Sequence, residues 1–267
     1  MKPAFTLIEL LVVITIIVVL LALLAPALDK AITAALKAKC LANQHNIVQA
    51  AQFYATDSKR IFPPFTMNGS DSSAYDLRGS WSTPTGAVVK PPMGLGLLPA
   101  GGYLPTTQLG KIIHCPCMDN SDSAFANLGM DRIWHYLGST VPPAIDSVGG
   151  SWWVDPAYTT WRVIGSFNYR AASYYNAKKG NLKQNSLDPL QILTVDSPDL
   201  RFAGKYTHPD GYNRVFVDGH GAFFFDPDRK TDNLILTYVT TSGTVDGLGG
   251  GPNEETWLYP YLATDKP

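Results

Sequence analysis

The sequence predicts an α+β protein: one long N-terminal helix, its first half able to cross a membrane, packed on an antiparallel β-sheet head with long loops. Three observations carry this. Residues 5–28 are almost wholly apolar, residues 29–57 keep a helical apolar stripe without any Pro or Gly, and the chain after residue 61 alternates short strand candidates with turn clusters.

In the stretch from Phe5 to Leu28 only Thr6, Glu9 and Thr15 break the apolar character. As a helix it would extend roughly 36 Å at about 1.5 Å per residue, enough to cross a bilayer. Lys2 and the amino terminus put positive charge before it, which predicts a cytoplasmic N-terminus and an exported remainder. An ordinary secretory signal, cleaved near "ALLAPALDKA", and a plain signal anchor are the alternative readings. Neither accounts for Glu9. A carboxylate in lipid costs a few kcal/mol and is usually there for function, with a partner.

Beyond the apolar run, Ile32, Leu36, Cys40, Asn43, Ile47, Ala51 and Tyr54 fall near one helical face, which predicts that the same helix continues and packs on the head. The prolines in "SKRIFPPF" are expected to end it. In the head, "KIIHCPCM", "WRVIGSFNYR", "QILTVDS", "NRVFVDGHGAFFF" and "NLILTYVTT" are the best strand candidates. "PPMGLGLLPAGGYLP" reads as an irregular connection or short helix, and "SDSSAYDLRGSWSTPTG" and "SGTVDGLGGGPNEE" as loops. Asp218-Gly219 is expected as the two-residue turn of a hairpin, with positive φ at both residues.

Composition narrows the function classes. With 21 basic against 22 acidic residues, and the basic ones scattered, nothing points to nucleic acid. No G-x-S-x-G, P-loop or H-E-x-x-H is present, and the acids form no evident catalytic pair, so no catalytic residue is expected. Trp152, Trp153 and Trp161 could line a sugar-stacking face, but core or subunit contacts are the preferred reading.

"AFTLIELLVVITIIVVLLALLAPAL" resembles the class III signal and N-terminal helix of type IV prepilins and type II secretion pseudopilins. The resemblance implies a leader at 1–4, cleaved between Ala4 and Phe5 by a prepilin peptidase that methylates the new Phe5 amine. Residues 5–28 would form the transmembrane and filament-core half of the helix, 29–60 its head-packing half, and 61–267 a pilin-like head. Glu9 would pair with the Phe5 amine of a neighbouring subunit, offsetting the desolvation of both charges. Pro26 stands where many pilins kink the helix, and Ala4 replaces the usual Gly. His208, nine residues and then Asp218-Gly219 match the H-X9-DG pattern of a large prepilin-type family, which "KCLANQHNIVQAAQFYATDSKRIFPP" and "GLGLLPAGGYLPTTQLGKIIHCPCM" also resemble. The implied partners are prepilin peptidase, other pilin or pseudopilin subunits, an inner-membrane assembly platform and lipid. The implied location is the inner membrane, single-pass, with the head outside the cytoplasm, followed by an envelope or surface filament. A membrane-anchored binding protein that does not polymerise and an envelope enzyme with an unrecognised site are the rival classes.

Several head residues invite chemistry. If residues 213–217 form a strand, His208 and Asp218 lie roughly 15 Å apart at about 3.3 Å per residue, so an acid–base pair between them is disfavoured. No cofactor is required, but the pseudopilins resembled here hold Ca²⁺ in C-terminal loops, which makes Asp196, Asp199, Asp210, Asp226 and Asp228 candidate oxygen ligands. A zinc site at "HCPCM" would need Cys40 or a distant His, and C-x-C is not the usual knuckle spacing, so zinc is not the expected reading. Cys115 and Cys117 are too close to bond to each other without strain. In an oxidising envelope Cys40 with either of them would staple the helix to the head.

Overall fold

The computed structural model describes residues 6–65, 81–82, 88–89, 92–106, 109–117, 134–136, 161–163, 165–171, 180–196, 208, 210–228 and 230–231. Helix α1 (Leu7–Asp57) is followed by the antiparallel pair β1 (Trp81–Ser82) and β2 (Val88–Val89), a 3-10 turn at Gly94–Gly96, and two short helices, α2 (Leu97–Ala100) and α3 (Leu109–Ile113). A second antiparallel pair, β3 (Trp134–Tyr136) and β4 (Trp161–Val163), precedes the main sheet. That sheet is antiparallel in the order β5 (Phe167–Tyr169), β6 (Ile192–Asp196), β7 (Gly211–Phe216), β8 (Gly221–Phe225), so neighbours in sequence are neighbours in space. The α+β layout is the one that the sequence predicts.

Helix α1 belongs to two environments. From Leu7 to Leu28 its apolar side chains are exposed, and none packs on the described residues of the head. Helical conformation continues through Pro26, and contact with the head is firm only from Cys40 onward. Ile32, expected on the packed stripe, is still 48% exposed. The buried residues are Cys40, Asn43, Gln44, Ile47, Val48, Ala50, Ala51 and Ala55, a spacing of threes and fours that keeps one face inward. The alanines at positions 50, 51 and 55 let the sheet and α2 come close. Amide side chains fix the register: Asn43 Nδ2 donates to the Lys111 carbonyl (2.7 Å), and Gln52 Nε2 to the Val217 carbonyl (2.6 Å).

The helix ends before the prolines reach it. Lys59 and Arg60 adopt left-handed φ values of 53° and 63°. The Arg60 N–H then turns back to the Ala55 carbonyl (2.8 Å), which caps an otherwise unpaired acceptor. Pro63 and Pro64 serve the strap that follows, where the Tyr169 hydroxyl donates to the Pro63 carbonyl (3.2 Å).

Two apolar clusters flank the main sheet. The larger lies between α1 and the sheet and includes Ile47, Val48, Leu98, Leu109, Phe167, Tyr169, Leu193 and Val215. The smaller covers the opposite face with Ile192, Val195, Tyr212, Phe216 and Phe224. Strand β6 supplies both because it is irregular: Ile192 pairs with Phe216 but Thr194 pairs with Val215, so Leu193 and Thr194 together oppose one residue. The extra residue reverses the in–out alternation, and Thr194 and Asp196 face the helix instead of sharing the face of Ile192.

Three expectations need correction. "KIIH" is not a strand: it belongs to α3 and the turn after it, because Asn43 from α1 and the Ser166 N–H cap the carbonyls of Lys111 and Ile113. A short apolar run has no periodicity that distinguishes strand from buried helix, and here tertiary partners decide. "WRVIGSFNYR" is two strands, β4 and β5, with Gly165 between them. The β7–β8 turn has three loop residues, not two: the Gly219 N–H donates to the Phe216 carbonyl (3.0 Å) and the Phe216 N–H to the His220 carbonyl (3.0 Å). Only Gly219 takes a positive φ there, 93°, which is the arrangement of a turn closed by a glycine bulge. "NLILTYVTT" and "SGTVDGLGGGPNEE" lie outside the described residues.

Gly211 opens β7 at φ 152°, and a Cβ there would stand 1.9 Å from the Phe224 carbonyl oxygen of the paired strand. Gly211→Ala is expected to destabilise the head by about 2–4 kcal/mol. The measurement is urea unfolding of the full chain in detergent, and a midpoint equal to wild type would contradict this account of the β7–β8 contact.

Candidate functional site

At the start of α1, Thr6 and Glu9 form a reciprocal cap. The Thr6 N–H donates to Glu9 Oε2 (2.8 Å), the Thr6 hydroxyl donates to the same oxygen (2.6 Å), and the Glu9 N–H donates to Thr6 Oγ1 (3.3 Å). In a helix entering lipid, the first N–H groups have no water to bond, so this cap satisfies donors that would otherwise be costly. The sequence signal for this cap is the T-x-x-E pattern of Thr6 and Glu9 ahead of the apolar run. Ala4 and Phe5, the proposed cleavage pair, lie outside the described residues.

A second polar site is sealed between α1 and the sheet. Cys40 comes from α1, Cys115 from the turn after α3, Asp196 from the end of β6 and His208 from the approach to β7. All four are buried, and one ligand atom from each lies within 4.8 Å of all the others. Cys40 Sγ donates to Asp196 Oδ1 (3.1 Å), His208 Nε2 lies 3.1 Å from Asp196 Oδ2, and Cys115 Sγ lies 3.6 Å from His208 Nε2.

The surrounding residues hold the carboxylate in place. Gln44 Nε2 donates to Asp196 Oδ1 (2.7 Å) and the Asn213 N–H to Oδ2 (2.7 Å). Gln44 is itself positioned by the Thr194 hydroxyl, which donates to its Oε1 (3.2 Å). Asn213 Nδ2 sits 2.8 Å from His208 Nε2, and the ring of Phe223 meets the imidazole edge-on. Burial pushes the Cys40 thiol up to about 11 and the Cys115 thiol up to about 12. Burial alone would lower the proton affinity of His208, but hydrogen bonding to Asp196 and to the thiols of Cys115 and Cys117 outweighs it and raises it. Two thiols, an imidazole and a carboxylate converging on one point form a metal-competent donor set.

The other anticipated residues separate into local roles. His208 and Asp218 do not meet: Asp218 Oδ1 instead accepts the His220 N–H (3.0 Å) within the hairpin loop. Of the candidate calcium ligands, Asp196 belongs to the buried cluster and Asp199 lies outside the described residues. Asp210 pairs with Lys37 of α1, whose ammonium also sits 4.7 Å from the centre of the Phe223 ring. Asp226 accepts the N–H groups of Lys230 (2.9 Å) and Thr231 (2.8 Å), and Asp228 is exposed, 3.9 Å from Lys230. Cys40 and Cys115, one of the two anticipated pairings, come together as free thiols, and Cys117 is a half-buried free thiol. Gln44, Thr194 and Asn213 were not anticipated. Polar residues in a buried stripe or strand give no signal of their partners.

Residues 2–25 match the family described as the prokaryotic N-terminal methylation motif. The chain carries a prepilin-type methylation motif. It takes in Glu9 and most of the apolar half of α1, and it supports a type IV pilin-like precursor. No curated protein and no solved structure matches the chain. The motif ends at residue 25, so it covers neither the head nor the buried cluster.

Removing the carboxylate would leave the Gln44 amide, the Asn213 N–H and the His208 imidazole buried without their acceptor. Asp196→Ala is therefore expected to destabilise the head by about 3–5 kcal/mol. Asp228→Ala, on the surface, should change stability by less than about 0.5 kcal/mol. Chemical denaturation of the full chain in detergent checks both, and similar losses for the two variants would count against a central role for Asp196.

Proposed function

We propose that the chain is a structural subunit, not an enzyme, of a type IV pilus-like or type II secretion pseudopilus-like filament. It is processed by a prepilin peptidase between Ala4 and Phe5 and assembles through α1. One observation carries this reading: the apolar half of α1, Leu7 to Leu28, is exposed and touches none of the described residues of the head, yet continues unbroken into the half that forms its core. Such a surface needs lipid before assembly and neighbouring apolar helices after it. The methylation motif at residues 2–25 supports the same reading. Before assembly the chain sits in the inner membrane with its N-terminus cytoplasmic and its head outside. The spacing from His208 to Asp218-Gly219 supports a place in the H-X9-DG prepilin-type group.

Glu9 has two roles in this account. Its carboxylate caps α1 through Thr6, and it pairs with the methylated Phe5 amine of a neighbouring subunit. The two are separable, because Gln can occupy the third position of the cap but carries no charge. Glu9→Gln is expected to insert and to be processed like wild type while sheared surface filaments fall by about tenfold or more. Electron microscopy of sheared material and N-terminal sequencing of the membrane fraction give the two readouts. Wild-type filament yield from Glu9→Gln would confine Glu9 to capping. A mature chain that begins near Asp29 would replace the filament reading with ordinary signal cleavage.

A further inference from the structure

We propose that Cys40, Cys115, Asp196 and His208 bind one structural divalent cation of the zinc class, which clamps α1 to the head. This rests on the buried cluster and is independent of the filament reading.

The donor set selects the class of ion. Two thiolates and an imidazole suit a borderline-soft cation and do not suit calcium or magnesium, which take oxygen ligands. The four ligand atoms already stand within 4.8 Å of one another. A tetrahedral ion bonded at about 2.0–2.3 Å sets its ligand atoms roughly 3.3–3.8 Å apart. The structure has 3.6 Å from Cys115 Sγ to His208 Nε2, inside that range, and 3.1 Å from Asp196 to both His208 Nε2 and Cys40 Sγ, so the carboxylate moves outward by a few tenths of an ångström to admit the ion.

The hydrogen bonding around His208 leaves Nε2 able to face an ion. Nε2 faces a carboxylate that can only accept, an Asn213 amide that donates and the Cys115 thiol. Nδ1 is buried and has no partner among the described residues. One ring nitrogen offers either a proton or a lone pair, so Nε2 is free to serve an ion when it carries no proton, while Asn213 Nδ2 keeps an acceptor in the Lys37 carbonyl (3.4 Å) and Asp196 keeps its other donors. An ion at the centre takes the lone pair of Nε2 and one oxygen of Asp196, and both thiols release their protons to solvent as they bind it. The Gln44 amide and the Asn213 N–H then orient the ligating carboxylate from outside, as supporting groups commonly do.

All four ligands are buried and together they fill a tetrahedral shell, so the site is closed and structural, with no position for a substrate. They also come from four elements far apart in sequence: 156 residues separate Cys40 from Asp196, and 93 separate Cys115 from His208. An ion there would join the lipid-borne helix to the turn after α3 and to the two central strands of the sheet.

The experiment uses the full chain, purified in detergent without chelator. Elemental analysis should find one zinc per chain. Chelator dialysis should lower the unfolding midpoint by roughly 10 °C or more, reversibly on adding zinc. Cobalt(II) added to the metal-free protein should give thiolate-to-metal charge-transfer absorption. That absorption should weaken in Cys115→Ser, which keeps one thiolate, should need more cobalt to develop in His208→Asn, which keeps both, and should be unchanged in Cys117→Ser. Because the ligand variants could fail to fold, the wild-type cobalt spectrum and the chelator shift decide independently of them. The proposal is overturned by folded wild-type protein that binds neither zinc nor cobalt. It is overturned equally by a native Cys40–Cys115 disulfide in non-reducing mass spectrometry, or by loss of the cobalt signal in Cys117→Ser.

Discussion

The carboxylate of Asp196 is wholly removed from water at the seam between α1 and the sheet, and four groups converge on it: the Cys40 thiol, the Gln44 amide, the Asn213 N–H and the His208 imidazole. A buried charge is tolerable only when its lone pairs are matched in this way. Those partners in turn dictate where their elements lie. Cys40 and Gln44 set the rotation of α1 about its axis, Asn213 sets the register of β7 against β6, and His208 fixes the approach to β7. The apolar packing around Ile47, Val48 and Val215 supplies most of the burial, but it would accept small slips that the carboxylate does not.

That rotation matters because α1 is one rigid object serving two environments. Its apolar half has no partner among the described residues, while its second half forms the head core. Whatever force acts on the apolar half is transmitted to the head through the contacts that begin at Lys37. The polar links Lys37–Asp210, Gln44–Asp196 and Gln52–Val217 lie along this seam, about two turns apart, and resist sliding of the helix along the sheet. A metal clamp at Cys40 would stand near the point where the helix leaves the head, where leverage on the seam is greatest.

The two ends of α1 meet a shared problem by different means. At the start, Thr6 and Glu9 satisfy donors that water does not reach once the helix enters lipid. At the finish, Lys59 and Arg60 take a left-handed turn that returns an N–H to Ala55. Non-glycine residues in that conformation carry some strain, and here the following strap holds them: the Phe62 N–H donates to the Leu182 carbonyl, and the Tyr169 hydroxyl reaches Pro63.

Much of the architecture was legible because it follows from composition and period. An apolar run of this length, a stripe at threes and fours, and turn residues between β-branched strands determined by themselves a membrane-length helix, its continuation over the head and the β7–β8 hairpin. The pairing partners were not legible. "QILTVDS" read with a period of two puts Asp196 on the face of Ile192, away from the helix. Only the extra residue at Leu193–Thr194 turns it inward, and that irregularity is fixed by the packing of β6 against β7. The spacing within "HCPCM" shows no complete site, because the groups that converge on Cys115 lie in α1, β6 and the approach to β7. The sequence determined which segments seek lipid, core or turn, since those preferences are local. The tertiary structure decided which buried polar groups meet, since a hydrogen bond or a metal ligand set is satisfied by proximity in space and leaves no period in the chain.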